Sequence, residues 1–410
     1  MFVPLNSATP TRKKVAELLV VALAAGLLVA AYRIDRQWIS RHVTLPNLWP
    51  PSDAETWSTR GRGVLVLLAA LVVLVLRPAF ISFVSKVSLA GLARSTVPVL
   101  LAIAASAVTV ETVAGRMQPD TVRGRAVYQQ YGAPHPRYGW TGQPSSTSTL
   151  EVSGRDIRSA FNREGVRVLN QEDEPDPTLP TILFTGESIA LGFGLQYTET
   201  FPALIAARRG VQCVNLAANA YGSDQAYLRL VDAMPGFERM VATVTVFIPL
   251  QLSRNLYDDR PRLILGPSGE LKFATAADDF LSRLRIRTVL WSELPYLGDG
   301  AIERTLKLTS AILRETSTRT RARGATPLFV IPSRGPKRPL GEHPEAWIVQ
   351  ELFVRQGLPF ILVDVPMDQL LTGNGIFHPG PRGAETIAEA ILAALPSGSE
   401  NGRGTAVLPR

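Results

Sequence analysis

Thr181-Ile-Leu-Phe-Thr-Gly-Glu-Ser-Ile-Ala-Leu-Gly-Phe-Gly194 falls into three parts. Ile182 to Phe184 is a short apolar run of the length a buried strand needs. Thr185-Gly186-Glu187-Ser188 breaks it, small residues and glycines follow, and a helical pattern resumes near Thr200. A strand that ends in a tight glycine turn presents the next side chain at the carboxyl edge of a parallel sheet, where open α/β sheets place their sites. That side chain is Ser188, set among backbone N–H groups suited to a developing oxyanion. A Gly-x-Ser turn after a strand also serves as a plain helix N-cap, so the stretch by itself leaves both roles open.

Downstream, strand and helix patterns alternate. Phe201 to Arg209 reads as a helix ended by Gly210, and Val211 to Ala217 as a second strand around Cys213. Gly222 to Met234 is helical, and Val241 to Ile248 is a β-branched run expected to be a buried strand. Leu256 to Lys272 is an excursion with a turn at Gly266-Pro-Ser-Gly269. Helices are expected over Ala276 to Leu294, Ala301 to Arg323, Glu345 to Arg355 and Ala384 to Leu395, with further strands at Leu328 to Ile331 and Phe360 to Val363. Such alternation implies a parallel sheet with helices on both faces.

The N-terminal region differs in kind. The chain has 410 residues, 46% hydrophobic and only 19% charged, a mixture that suggests a membrane part attached to a soluble domain. Val15 to Ala31 is almost wholly apolar behind Arg12-Lys13-Lys14, as in a first transmembrane helix with its basic flank in the cytoplasm. A cleaved signal peptide is the rival reading, disfavoured because Gly63 to Leu76 and Val97 to Ala114 are further apolar candidates. Three spans from a cytoplasmic N-terminus place the rest of the chain outside the cytoplasm, and membrane lipid is then a partner. The basic segment from Arg77 to Arg94 agrees with this, whereas the arginines between Arg33 and Arg62 run against it. The net charge of +8 is scattered, without a basic stripe interleaved with aromatics, so nucleic acid is not expected. A single cysteine, Cys213, excludes an internal disulfide, the four histidines are far apart, and no metal-type cluster or other cofactor motif is visible.

Three further stretches carry chemistry. Asn215-Leu-Ala-Ala-Asn-Ala-Tyr-Gly-Ser-Asp-Gln225 leads into a helix. Phe247-Ile-Pro-Leu-Gln-Leu-Ser-Arg-Asn255 follows the third strand, and His378-Pro-Gly-Pro-Arg-Gly383 opens the last helix. Together with Gly186-Glu187-Ser188 they resemble the four signature blocks of the SGNH (GDSL-type) hydrolases, over roughly Pro136 to Leu395. The lead-in Pro136-Arg-Tyr-Gly-Trp140 and Asn162-Arg-Glu-Gly-Val-Arg167 resembles strands that precede membrane-tethered members, while the Asp- and Pro-rich Gln171 to Pro180 suits a flexible stalk.

The resemblance implies a flavodoxin-like three-layer α/β fold, with a parallel sheet in the order 2-1-3-4-5, preceded by transmembrane helices. It divides the chain into a membrane region (1–115, about three spans), a linker with lead-in strands (116–180), the hydrolase-like domain (181–396) and a disordered tail (397–410). It makes Ser188 the nucleophile, His378 its base, and the N–H groups of Ser188 and Ala220 the oxyanion donors, with no cofactor. The chain departs from the family in four places. Glu187 stands for Asp, Ala220 for the oxyanion glycine, and Leu250-Gln251 for an Asn-Asp pair whose Asn donates to the oxyanion. Gly375 stands where the acid three residues before the histidine belongs, Asn374 is one residue further back, and Asp364 closes the fifth strand, where the resemblance implies a non-catalytic Asp. Gln251 is the one neighbour able to replace the lost donor, and Asn255 reads as a loop cap. Two functions follow. One is a membrane-anchored esterase or acyl transferase acting on an O-acylated envelope glycan or lipid. The other is a catalytically decayed domain serving as a binding or assembly module.

Overall fold

The computed structural model describes residues 8–42, 51–86, 89–117, 132–277, 297–343, 346–373 and 378–396. These residues form two compact units, one within residues 8–117 and one within 132–396.

The first unit is helical: α1 (Ala8–Arg33), α2 (Arg36–His42), α3 (Pro51–Leu71), α4 (Arg77–Lys86) and α5 (Leu89–Met117), with a π-helical turn, Val72–Leu76, joining α3 to α4. Val20 and Ala24 of α1 pack on Ala69 and Val72, small and β-branched side chains that let two helix backbones approach. Arg77 pairs with Glu17 at 3.0 Å and Arg62 donates to the Ile34 carbonyl at 2.6 Å, so the two helices run antiparallel. The opposite faces are apolar and uncovered: Leu18 is 68% and Leu74 is 74% exposed. Two stretches, Lys13–Arg33 and Ser58–Ser82, are long and apolar enough to cross a membrane. The third expected span falls on α5, whose apolar run Leu100–Val113 is shorter than a full crossing.

The second unit is built on one sheet. Its strands, after the hairpin β1 (Gly132–His135) and β2 (Gly139–Gly142), are β3 (Ser146–Val152), β4 (Arg155–Phe161), β5 (Arg167–Val168), β6 (Thr181–Thr185), β7 (Gln212–Asn215) and β8 (Met240–Val246). A second small hairpin, β9 (Arg262–Leu265) and β10 (Leu271–Ala274), stands apart, and β11 (Thr326–Arg334) and β12 (Phe360–Val365) complete the sheet. The order is β12-β11-β8-β6-β7-β5-β4-β3. Strands β6, β7, β8, β11 and β12 are mutually parallel, in the expected order 2-1-3-4-5. The sheet as a whole is mixed rather than purely parallel, because the lead-in contributes three antiparallel strands along the edge of β7. That edge is thereby covered instead of being left as an open ladder.

Both faces carry helices: α6 (Ser188–Leu191), α7 (Phe201–Arg209), α8 (Ser223–Ala233), α9 (Leu250–Arg254), α10 (Asp299–Ala322), α11 (Ala346–Val349) and α12 (Pro381–Ala394). β6 shows why three layers form. Ile182 and Phe184 point to a cluster with Phe201 of α7 and Ile387 and Ile391 of α12. Leu183, one residue out of phase, points to Leu230 of α8 and Val214. All three side chains are fully buried, each contributing on the order of 1.5–3 kcal/mol.

Two sequence expectations change and a third goes untested. Gln171 to Pro180 is not a stalk: Gln212 exchanges hydrogen bonds with the backbone of Asp176, both at 2.8 Å, and Glu238 N donates to the Pro177 carbonyl at 2.9 Å. Once its backbone groups have those partners, a polar segment lies down on the domain. The expected helix Glu345 to Arg355 is α11 followed by a π-helical turn, Gln350–Val354. The expected helix Ala276 to Leu294 lies, apart from its first two residues, outside the described residues.

Candidate active site

The serine turn is shaped by its glycine. Gly186 has φ +143, and a Cβ there would stand 2.9 Å from the Val246 carbonyl, so the turn that leaves β6 beside the end of β8 admits no side chain. The chain then enters α6, where Glu187 Oε1 accepts from Ile189 N at 2.9 Å as the helix cap. The far end of α6 is held by buried Arg167, which donates to the Leu191 and Gly192 carbonyls at 2.7 and 2.6 Å. A residue of the antiparallel lead-in therefore fixes where Ser188 stands.

His378 arrives from the other end of the chain. Its carbonyl accepts from Leu371 N, and Gly380 N donates to the Gln369 carbonyl, both at 2.8 Å. These bonds, with Pro381 in the first turn of α12, place the imidazole over the carboxyl ends of the strands. His378 Nε2 lies 2.9 Å from Ser188 Oγ, and the Phe193 ring packs against the imidazole with centroids 4.7 Å apart. Ser188 and His378 line a cleft of about 110 Å³. Among the described residues no cluster of three or more His, Cys, Asp or Glu is placed to hold a metal.

Ala220 adopts φ +56, a left-handed backbone that favours glycine. That conformation costs an alanine roughly 1–2 kcal/mol. The turn is braced from the lead-in: Trp140 Nε1 donates to the Asn219 carbonyl at 2.8 Å, and Tyr221 Oη donates to the Trp140 carbonyl at 2.5 Å. Burial pushes the Tyr221 hydroxyl up to about 12, which keeps it a donor. Ala220 itself is not among the residues lining the cleft.

Leu250 does line the cleft, at the start of α9. Gln251 does not take over as donor. It is buried, accepts from Ser223 Oγ at 3.0 Å and turns its amide toward the Val246 carbonyl at 3.4 Å. Asn255 is the C-cap of α9, with its amide on Thr309 Oγ1 at 2.8 Å. Asp364 is turned elsewhere, toward Arg338 N at 3.2 Å. Asn374 and Gly375 lie outside the described residues. We expect Leu250→Asn to raise ester turnover by up to about 10²–10³-fold, the worth of one oxyanion donor. Unchanged kcat in a folded variant would mean that this donor is not what the site lacks.

Sequence reasoning missed three features. The first is the Glu187 side chain: Oε2 is 2.5 Å from Ser188 Oγ, and the carboxylate is almost completely buried. The second is Arg254, a cleft residue 3.8 Å from Glu187 Oε2 that also donates to the Tyr221 carbonyl at 3.2 Å. Burial lowers the pKa of its guanidinium, and the Glu187 carboxylate works against that shift. The third is buried His343, whose Nδ1 is 3.1 Å from Ser333 Oγ and whose Nε2 is 3.6 Å from Asp364 Oδ1. Their sequence separations follow no motif; only the ends of β11 and β12 bring them together.

No family model and no curated protein matches the chain. Similar solved structures include TesA, 15% identical over 52% of this chain and 96% of that one, with a TM-score of 0.28. The psychrotrophic esterase EstA from Pseudoalteromonas sp. is 12% identical over 52% and 94% of the two chains, TM-score 0.29. A member of the lipolytic G-D-S-L family from Veillonella parvula is 10% identical over 52% and 96%, TM-score 0.29.

Proposed function

We propose that the C-terminal unit is a serine ester hydrolase or acyl transferase of the SGNH (GDSL) type, acting on an O-acylated envelope glycan or lipid. The observation that carries this reading is the 2.9 Å contact between Ser188 Oγ and His378 Nε2, made across 190 residues of sequence. It lies at the carboxyl edge of a sheet in the order 2-1-3-4-5, where such folds bind ligands. Ser188 Oγ attacks the ester carbonyl and gives up its proton to a base in contact with it. The leaving alcohol takes a proton from the site, and water or an acceptor alcohol then releases the acyl group. The N–H groups of Ser188 and Ala220 are the proposed oxyanion donors. The wall of the cleft includes Ile248, Leu250 and Leu370, apolar surface suited to a short acyl group. The test is covalent labelling of the full chain by a fluorophosphonate. Modification is expected at Ser188, and an unlabelled serine would leave the second reading, a binding module, which Leu250 at the donor position favours.

The same proposal places the protein in a membrane, through α1 and the Ser58–Ser82 stretch, with the C-terminal unit outside the cytoplasm. The uncovered leucines and valines of those helices support it, since water would penalise each. Thr147→Cys puts a thiol on an exposed strand position, and half-buried Cys213, its thiol pushed up to about 12, stays unreactive. An impermeant maleimide should label the variant in intact cells. Labelling only after lysis would refute the orientation.

A further inference from the structure

We propose that the cleft selects esters of an acidic alcohol, with Arg334 binding a carboxylate or phosphate on the part of the substrate that carries the acyl group. The inference rests on the serine-hydrolase reading above and names the substrate class of that site. It starts from the charge of the cleft. Among the described residues that line it, two guanidinium groups, Arg254 and Arg334, stand against one carboxyl group, Glu187. Arg254 lies 3.8 Å from Glu187 Oε2 with its side chain 13% exposed, so those two groups face each other. Arg334, a half-buried residue, adds the second positive charge. A guanidinium keeps its charge at any pH the protein meets, so this excess does not depend on where the serine and histidine protons lie.

The sheet fixes where Arg334 stands. It is the last residue of β11, in register with Val365 of β12, and Gly335 N donates to the Val365 carbonyl at 3.0 Å. The Arg338 guanidinium folds back onto the Arg334 carbonyl at 2.9 Å. Only β8 separates β11 from β6, so the Arg334 backbone lies two strand spacings, about 10 Å, across the sheet from the strand that leads to Ser188. Lys337 and Arg338 follow in the same turn, so this edge of the sheet carries three positive charges within residues 334–338. Asp364, the acid at that edge, accepts from Arg338 N at 3.2 Å and lies 3.6 Å from His343 Nε2. It is not among the residues lining the cleft.

A cleft with an apolar wall and an excess guanidinium suits a substrate with two unlike halves. Ile248, Leu250 and Leu370 take the acyl group. An anion set against those side chains would lose its water without gaining a partner, so the charge belongs on the alcohol half, where Arg334 meets it. The planar guanidinium can give two parallel N–H bonds to a carboxylate or a phosphate. A cleft with low-dielectric walls and one sign of charge also draws such anions in from solution. A uronic acid sugar supplies the carboxylate and a phosphoglycerol headgroup the phosphate, and both carry hydroxyls that can be acylated. Arg334 binds and orients the alcohol half and takes no part in the proton transfers.

Protection of Ser188 tests the assignment. The full chain in detergent is labelled with a fluorophosphonate in the presence of matched alcohols, and the concentration of each that halves the labelling rate is measured. One pair is methyl glucuronoside against methyl glucoside, and the other is glycerol 3-phosphate against glycerol. The acidic member of at least one pair should protect at a concentration about 10–100-fold lower than its neutral partner, the worth of a hydrogen-bonded charge pair. A preference in the first pair assigns an acidic glycan, and one in the second assigns a phosphoglycerol lipid. Arg334→Met should bring the preferred ratio to within about threefold of one, and Arg334→Lys should retain part of it. Equal protection by both members of both pairs would overturn the proposal, and so would an Arg334→Met ratio matching that of the wild type. Should the Met variant fail to fold, the Lys variant decides, since a ratio identical to wild type there would show that the fork geometry of Arg334 is not what reads the anion. Wild-type protein in which Ser188 takes no label would instead remove the hydrolase reading itself, an outcome distinct from a labelled enzyme indifferent to charge.

Discussion

Ser188→Ala should lower the hydrolysis of a short-chain ester by at least on the order of 10³-fold while leaving the melting temperature unchanged. The size follows from two magnitudes. Removing the nucleophile of an efficient serine hydrolase costs on the order of 10⁶-fold in kcat. A site already short of one oxyanion donor, here replaced by Leu250, has forgone about 10²–10³ of that. What remains attributable to the serine is about 10³–10⁴-fold. The fold should tolerate the change, since Ser188 is half-buried and its Oγ bonds, among the described residues, Glu187 and His378, while the α6 cap is made by the other Glu187 oxygen. Steady-state kinetics on the full chain and a thermal melt check both halves. Activity that survives in Ser188→Ala would assign any turnover to another group and leave the domain as a binding module at this cleft.

The parallel core was legible because its signals are local. A strand buried on both faces favours apolar and β-branched residues throughout, and β6, β8 and the middle of β11 are built of them. The places of Ser188, Ala220 and His378 were legible for a different reason: each sits where backbone geometry constrains the sequence. Gly186 allows the strand to turn, the Asn215 to Gln225 block leads into α8, and Pro-Gly-Pro after His378 opens α12. The lead-in was less legible. Residues 146–168 join the sheet by antiparallel pairing to β7, a non-local contact with no periodicity to announce it. The contact of Glu187 with Ser188 was hidden because adjacent residues in a turn face each other only for particular backbone angles. In sequence it read as a bare substitution of Glu for Asp. Gln251 shows the converse. Its residue type could have filled the oxyanion role, and only the structure shows its amide committed to Ser223 and Val246.

The largest stability effect should come from a residue that touches no substrate. Asp224, at the start of α8, and Arg260, in the loop before β9, form a two-pronged pair at 2.8 and 2.9 Å, with side chains 0% and 2% exposed. Asp224 Oδ1 also accepts from Gln225 N at 2.9 Å, and Arg260 donates to the Arg254 carbonyl at 2.7 Å and the Pro261 carbonyl at 2.9 Å. The pair thus joins α8, α9 and the loop in one network, and it carries Arg254 beside Glu187. Asp224→Ala leaves a guanidinium buried without its counter-charge, which costs about 3–5 kcal/mol. For a unit of this size that is a fall of roughly 6–20 °C in melting temperature. Removing both charges should be milder: Asp224→Ala combined with Arg260→Met should recover at least half of the loss, because the penalty belongs to the orphaned charge more than to the broken pair. Esterase activity should fall further than the folded fraction in the double variant, where Arg254 loses the Arg260 bond at its carbonyl. Thermal melts of the full chain in detergent would show it. A loss under about 1 kcal/mol for Asp224→Ala would mean that water reaches Arg260 and that the network does not hold the site together.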